Sequence, residues 1–291
     1  KPSEFFCTRL ESSKWKAGRV GLIGVGAGTG DIAARLRTAA AVAARSARRQ
    51  RATILGFVLR GESNSVARAQ AVAEGLTLGA FEDRRFKTET KEATPVIEEC
   101  RLVCTELNTV KLEEAVRVGS ILGEAANRAR ELTNSPGNIL VPQTFAEEAR
   151  GLVSESGIRV DVLDEVAIQN LGMGLLLGVS RGSVEKPRLI VMRHEPEHSS
   201  SDEVLGLVGK GVTFDSGGIS LKPAAGMEHM KGDMAGGAAV ICAMRAIGKL
   251  GIPTRVIGVV PATENMPGGR ATKPGDVLTG ANGTTVEVIN T

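Results

Sequence analysis

Short apolar segments alternate along most of the chain with longer segments of helical period. Short apolar runs, several rich in β-branched residues, predict strands at residues 19–24, 53–59, 96–103, 160–163, 188–193, 204–208, 212–214 and 286–289. Longer segments predict helices at residues 31–50, 65–74, 112–132 and 235–250, with a further helix starting at Pro142. The alternation predicts an α/β protein with a mainly parallel sheet covered by helices. We expect the uniformly apolar run 204–208 to be a buried strand of that sheet.

The chain divides into two parts around the helix predicted at 112–132. We expect a small N-terminal α/β domain at 1–110, a linker helix at 111–126 and a second α/β domain at 127–291. A length of 291 residues is ample for two ordinary domains.

Composition, net charge and cysteine spacing disfavour several classes of protein. No apolar run approaches the roughly 18 residues that span a bilayer, so we expect no membrane partner. A net charge of +3 is too mild to require a nucleic-acid partner. The four cysteines have neither metal-binding nor disulfide-framework spacing, and no signal peptide opens the chain. We therefore expect reduced, buried thiols and a cytoplasmic location.

Four charged side chains stand in an apolar, glycine-rich stretch at the ends of predicted elements, where α/β folds place their chemistry. They are Lys210, Asp215, Lys222 and Asp233. Burying such groups without partners would cost several kcal/mol each. A bound cation would satisfy them, and two structural Lys–Asp ion pairs are the alternative.

The same stretch resembles a known enzyme family. The sequences KGVTFDSGGISLKP from Lys210 and MKGDMAGGAA from Met230 resemble the core of the leucyl aminopeptidases, the two-metal M17 peptidases. The segments PATENMPGG from Pro261 and KPGD from Lys273 follow the same pattern. The segment NRARELTNSPGN from Asn127 resembles the start of the M17 catalytic domain. The resemblance thus implies that 127–291 is a catalytic domain and that the N-terminal domain is non-catalytic.

The resemblance also implies roles for single residues. Asp215 would bridge two divalent ions, zinc or manganese with magnesium as a third candidate, and Lys210 and Asp233 would complete one ion's site. Lys222 would stabilise the oxyanion, and Met230 would line the pocket for the first side chain of the substrate. All five would contact a peptide substrate, from which the enzyme would release leucine-like N-terminal residues. The family further implies a homo-hexamer.

The family pattern continues beyond Asn290 and Thr291 with Asp-Ala-Glu-Gly-Arg. That motif supplies further carboxylates for one metal and the arginine that holds a bicarbonate acting as base. This chain stops at Thr291, so we expect it to be part of a longer protein. We also expect the 291-residue chain alone to bind at most one metal and to be inactive.

Three other interpretations of the sequence are less favoured. The glycine-rich loop at residues 24–30 resembles a dinucleotide fingerprint but lacks its third glycine and a ribose-binding acid. The motif HEPEH from His194 matches H-E-x-x-H, but Pro196 would break the required helix, so we expect an exposed loop. A non-catalytic scaffold or DNA-binding role would rest on the basic helix at 31–51, whose arginines we expect to face outward: Arg35, Arg37, Arg45, Arg48, Arg49 and Arg51.

Overall fold

The computed structural model describes residues 1–12, 14–26, 30–59, 65–88, 96–104 and 109–291. These residues form two compact units, Lys1–Asn127 and Arg128–Thr291. A single helix runs from Thr109 to Asn134 and belongs to both. The finer division, with a linker helix at 111–126, stays a prediction.

The first unit combines two small pairs of strands with helices. Its elements are β1 (Phe5–Arg9), β2 (Arg19–Ile23), α1 (Ile32–Arg49), β3 (Ile54–Val58), α2 (Ser65–Ala80), β4 (Glu99–Val103) and the start of α3 (Thr109–Asn134). Strands β1 and β2 are antiparallel, whereas β3 and β4 are parallel. The helix predicted at 31–50 is confirmed, and Asp31 caps it by accepting a hydrogen bond from the Ala33 N–H at 2.9 Å.

Helix α2 continues beyond Glu74, where its sequence pattern predicts an end. The continuation contains Gly75 and Gly79, which face the backbone of α1. A Cβ atom would lie 2.2 Å from the carbonyl oxygen of Arg37 at the first position and of Ala41 at the second. These glycines therefore allow close approach of two helices, and they do not mark a helix end.

The arginines of α1 face outward only in part, which corrects the expectation from sequence. Arg35 and Arg48 donate hydrogen bonds to backbone carbonyl oxygens of this unit. Arg37 forms an ion pair with Glu74 at 2.8 Å. The exposed members of the set are Arg45, Arg49 and Arg51. Several of these guanidinium groups stabilise the fold, so the basic surface open to a nucleic acid is smaller than the sequence suggested.

The glycine-rich loop considered for dinucleotide binding lies partly outside the described residues, at 27–29. In the described part, the N–H of Gly24 donates to the carbonyl oxygen of Glu4 at 2.9 Å. A Cβ atom on Gly24 would lie 2.1 Å from the carbonyl oxygen of Lys1. This glycine thus has a packing role against the N-terminal segment.

The second unit is built on a five-stranded sheet. Its elements are the end of α3, α4 (Pro142–Val153), β5 (Arg159–Leu163), α5 (Glu165–Asn170), α6 (Gly174–Ser180), β6 (Arg188–His194), β7 (Val204–Val208), β8 (Gly211–Asp215), α7 (Ala235–Leu250), β9 (Arg255–Asn265), β10 (Val277–Thr279) and β11 (Thr285–Glu287). Two 3₁₀ turns lie at Ser154–Ser156 and Met227–Gly232.

The sheet order is β5-β6-β9-β7, with β8 also paired to β9. Strand β6 is antiparallel to β5 and to β9, whereas β7 and β8 are parallel to β9. Four strands therefore share one direction and β6 opposes them. The predicted mainly parallel sheet is confirmed.

Helices α4 and α7 pack against β6 and β9 and form the core of this unit. Phe145 of α4, Ile241 of α7, Ile190 of β6 and Val260 of β9 are all fully buried. Alternate residues of β9 are buried, as expected for a strand covered mainly on one face.

The predicted strand at 204–208 is confirmed as β7, but the prediction that it is buried is wrong. Val204, Leu205 and Val208 are exposed by 48%, 52% and 77%. Strand β7 pairs with β9 on one side, and no other described strand pairs with it. An edge strand leaves side chains open to solvent, and local sequence does not reveal that position.

The segment HEPEH does not form a helix. His194 is the last residue of β6, and the residues after it form a loop. The rejection of a helical zinc motif is therefore confirmed. His194 itself is buried, which differs from the exposed position expected, because its Nε2 lies 2.8 Å from the carbonyl oxygen of Ile252.

All four cysteines are free thiols. The expected burial is confirmed for Cys242, whereas Cys100 is exposed and Cys7 and Cys104 are half-buried. Burial raises the pKa of Cys242 to about 11. In the described part of the chain, no helix has both the length and the apolar character needed to cross a bilayer.

The small residues at the start of α7 allow the helix to approach the sheet. Gly237 and Ala238 are buried there, whereas Gly236 and Ala239 are exposed. A Cβ atom on Gly237 would lie 2.7 Å from Cγ1 of Val260. The close helix–sheet packing therefore involves the two buried positions of these four.

We predict that Gly237→Ala lowers the free energy of unfolding by about 1–3 kcal/mol, because the added methyl group overpacks the helix–sheet contact. Gly151→Ala is the matched control, since Gly151 is an exposed glycine of α4. Beyond its chain neighbours and the backbone of its own helix, an added methyl group there would have no heavy atom within 4 Å. The control is expected to be neutral or stabilising by up to about 1 kcal/mol. Urea unfolding measures the free energy of unfolding of both variants. Equal values for the two variants would contradict the packing argument.

Candidate active site

Strands β7 and β8 lie end to end along one edge of β9. Val208 pairs with Val259 and Gly211 pairs with Ala262, so both strands keep one register across the break between them. Lys210 lies in that break. Its carbonyl oxygen accepts a hydrogen bond from the Gly237 N–H at 2.7 Å, which satisfies a free N–H in the first turn of α7. The backbone of Lys210 is thereby tied to the helix that follows Asp233.

A β-bulge at Thr213 shapes the end of β8. Val212 pairs with Thr263 and Phe214 pairs with Glu264, so Thr213 is an extra residue on this strand. Thr213 is 1% exposed, and its hydroxyl donates to the carbonyl oxygen of Thr263 at 3.3 Å. A bulge re-aims the side chains that follow it, which here include Asp215.

Asp215 has both carboxylate oxygens occupied. Its Oδ1 accepts hydrogen bonds from the Gly217 N–H at 2.9 Å and from Nδ2 of Asn265 at 2.8 Å. Its Oδ2 lies 2.5 Å from Nζ of Lys222. Partial burial acts to raise the pKa of Asp215, but the hydrogen bonds from Lys222, Gly217 and Asn265 together outweigh it and lower the pKa. The site therefore favours the ionised carboxylate.

Lys222 reaches Asp215 because the intervening loop turns back on itself. Gly217 and Gly218 have φ values of +90° and +66°, which side chains disfavour. The N–H of Lys222 donates to the carbonyl oxygen of Ser216 at 2.9 Å and closes the loop. The Lys222 ammonium also lies 3.3 Å from the sulfur of Met230, in the 3₁₀ turn. Three of the predicted site residues therefore meet here.

Lys210 and Asp233 form the second charged pair, with Nζ and Oδ2 2.6 Å apart. Although this oxygen is buried, no described residue donates a well-aligned hydrogen bond to it. The ammonium is close enough for an ion pair but lies outside hydrogen-bonding geometry. A buried carboxylate oxygen in that condition has capacity for a further cationic partner.

The structure thus joins the four charged residues as two Lys–Asp pairs, the alternative that the sequence left open. Their expected burial is wrong for the lysines, since the side chains of Lys210 and Lys222 are 58% and 36% exposed. Asp215 is 13% and Asp233 is 27% exposed. The carboxylates lie deeper than their partners because the flexible lysine side chains extend toward solvent.

Sequence reasoning missed Asn265, the hydrogen-bond donor to Asp215 at the end of β9. It lies within the segment PATENMPGG, so the pattern contained it without indicating its contact. The bulge at Thr213 cannot be recognised in the hydrophobic pattern, because the bulge is defined by how β8 pairs with β9.

The donor set fits a divalent cation. Carboxylate oxygens of Asp215 and Asp233 and the amine of Lys210 are suitable ligands, and the unsatisfied Oδ2 of Asp233 supports this fit. In the described ranges, no group of three or more His, Cys, Asp or Glu side chains is placed to hold a metal.

The chain is similar to proteins of known family along nearly its whole length. The model of the cytosol aminopeptidase family, catalytic domain, matches residues 127–291, and that of the family's N-terminal domain matches residues 8–90. A probable cytosol aminopeptidase of Solibacter usitatus (strain Ellin6076) is 48% identical over 278 residues, covering 95% of this chain and 56% of that protein. One of Alkaliphilus metalliredigens (strain QYMF) is 42% identical over 275 residues, covering 93% of this chain and 55% of that protein.

A solved structure shows the same architecture. The bottromycin maturation enzyme BotP in complex with Mn superposes with a TM-score of 0.86 at 36% identity, covering 100% of this chain and 60% of that one. The chain spans little more than half the length of the curated relatives it matches. Both domain models, the relatives and the solved structure agree, and the chain belongs to the cytosol aminopeptidase family.

Proposed function

We propose that the protein is a two-metal-dependent aminopeptidase that releases N-terminal residues from peptides, with a preference for leucine-like residues. The observation that carries the proposal is the pairing of Lys210 with Asp233 and of Lys222 with Asp215 in the catalytic unit of a cytosol aminopeptidase. The complex of BotP with Mn supports binding of a divalent metal by this chain.

Cations held here would polarise the scissile carbonyl group and lower the pKa of a bound water. Asp215 would offer Oδ2, Asp233 would offer Oδ2, and Lys210 would offer its amine. A lysine binds metal only as the neutral amine, so the cation must compete with the proton on Lys210. Zinc and manganese are the candidate ions, with magnesium as a third, because each accepts oxygen or nitrogen ligands.

Lys222 would change its partner when a cation binds. Its ammonium lies 2.5 Å from the same oxygen of Asp215 that the cation would use. A divalent ion attracts that oxygen more strongly than a single positive charge does. Lys222 would then be available to stabilise negative charge on the substrate carbonyl oxygen.

The remaining residues would orient the substrate. Asp233 would lie near the free α-amine, and a cation that binds this amine accounts for removal of residues from the N-terminus only. Met230 touches Lys222 through its sulfur and would form the apolar wall for the first side chain. All five predicted site residues would therefore contact substrate or metal.

The proposal also includes the catalytic base, the oligomeric state and the cellular location. A bicarbonate ion would act as base, held by the arginine of the Asp-Ala-Glu-Gly-Arg motif that follows Thr291 in the family pattern. We further propose a cytoplasmic location, in keeping with the name of the relatives, and a homo-hexamer, which rests on the family resemblance alone. A scaffold or DNA-binding role is the less favoured alternative, because three arginines of α1 bind groups within their own unit.

We predict that Lys222→Ala retains bound metal and lowers kcat by about 10²–10³-fold, the effect of losing one oxyanion donor. Lys210→Ala should instead lose metal, because it removes a ligand. Both are tested in the protein expressed from its complete reading frame, by hydrolysis of a leucyl amide and by elemental analysis. A wild-type rate for Lys222→Ala would contradict its role, and full metal retention by Lys210→Ala would contradict the ligand assignment.

We predict that a polypeptide of residues 1–291 binds at most one divalent ion and has no significant peptidase activity. A second ion would share only Asp215, and one carboxylate cannot offset the repulsion between two doubly charged ions at close range. Elemental analysis after dialysis measures the stoichiometry, with Asp233→Ala as the ligand-deficient control. Two tightly bound ions per polypeptide would show that this account is wrong.

We predict that the protein from the complete reading frame is a hexamer at micromolar concentration. Multi-angle light scattering gives the molar mass directly. A monomeric mass at that concentration would rule out the proposed assembly while leaving the metal chemistry untouched.

A further inference from the structure

Asn265 contacts the site through both its side chain and its backbone. Its Nδ2 donates to Oδ1 of Asp215 at 2.8 Å. Its carbonyl oxygen accepts from the N–H of Ser216 at 2.9 Å and from the Ser216 hydroxyl at 2.8 Å. The last residue of β9 thus holds both the carboxylate and the residue that follows it.

The bulge at Thr213 makes this contact possible. Val212 pairs with Thr263, and a regular parallel ladder continued from there would place Asp215 beside Met266, beyond the end of β9. The extra residue brings Asp215 back beside Asn265, with which it is paired. The bulge at Thr213 and the amide of Asn265 therefore together set the position of the Asp215 carboxylate.

Gly218 provides the space for the amide. A Cβ atom at Gly218 would lie 2.7 Å from Oδ1 of Asn265. The amide orientation follows from chemistry, because a carboxylate can only accept from the NH₂ end of the Asn265 side chain. With Gly217 N–H on the same oxygen, Oδ1 of Asp215 has two donors and is directed into the protein.

We propose that Asn265 is a positioning residue that reserves Oδ1 of Asp215 for hydrogen bonding and leaves Oδ2 alone to bind a divalent cation. The inference rests on the proposed function and deepens it. A carboxylate fixed in this way binds through one oxygen and does not rotate to chelate an ion with two. The entropy of fixing the ligand is then lost on folding rather than on metal binding.

The test measures Mn²⁺ affinity of the protein expressed from its complete reading frame by calorimetric titration. Asn265→Leu retains most of the side-chain volume but loses the donor, and Asn265→Ala removes both. Loss of a hydrogen bond to a metal ligand typically lowers affinity about 10–100-fold, and we expect a loss in that range for both variants. Asn265→Gln keeps the amide and should bind Mn²⁺ more tightly than Asn265→Leu.

Ser216→Ala is the matched control. It removes the hydrogen bond to the Asn265 carbonyl oxygen and the one accepted from the Gly218 N–H at 3.3 Å, but no contact with the carboxylate. It should retain Mn²⁺ affinity within about twofold, a change well below the expected 10–100-fold loss. Thermal unfolding without metal checks that each variant folds, and Asn265→Ala or Asn265→Gln is used if the leucine variant does not.

The outcomes separate this inference from the proposed function. Wild-type Mn²⁺ affinity in Asn265→Leu or Asn265→Ala would overturn the positioning role while leaving the metal site intact. A glutamine variant that binds no more tightly than the leucine variant would also overturn it. Absence of Mn²⁺ binding by the unsubstituted protein would overturn the proposed function itself.

Discussion

The pairing of β8 with β9 is the contact on which the rest of the site depends. It continues the register of β7, includes the bulge at Thr213, and ends with Asp215 beside Asn265. From that point the loop turns through two glycines with positive φ and returns Lys222 to the same carboxylate. A shift of one residue in this ladder would move the carboxylate away from its donors and toward the other face of the strand.

The second constraint is the close approach of α7 to the sheet. Gly237 lies near the carbonyl oxygen of Lys210 and near Val260, so the start of the helix is held at the break between β7 and β8. Asp233 ends the 3₁₀ turn just before this helix, and the same contact therefore brings it to Lys210. The close approach of α7 to the sheet and the pairing of Asp233 with Lys210 therefore both follow from the path of the backbone around Lys210.

Ion pairs satisfy the charged side chains of the site in the folded chain. Each half-buried carboxylate has an ammonium partner, which limits the cost of removing it from water. The lysines are the more exposed members of both pairs. The hydrogen bonds from Gly217 and Asn265 orient Asp215 without involving either lysine.

Most secondary structure followed from the sequence alone, because periodicity and capping are local properties. The helix at residues 235–250 has the predicted limits, and the strand at 204–208 is where its apolar run placed it. The charged residues of the site and their family were also evident, since Lys210, Asp215, Lys222 and Asp233 lie in one uninterrupted pattern.

Contacts between side chains of different segments could not be predicted from the sequence. Exposure of β7 depends on its being an edge strand, and the continuation of α2 through Gly75 depends on the backbone of α1 beside it. The contact of Asn265 with Asp215 depends on a bulge that has no signature in hydrophobic period. Local sequence sets the preferences of each segment, whereas contacts between segments distant in sequence depend on register and packing, which form only when the chain folds.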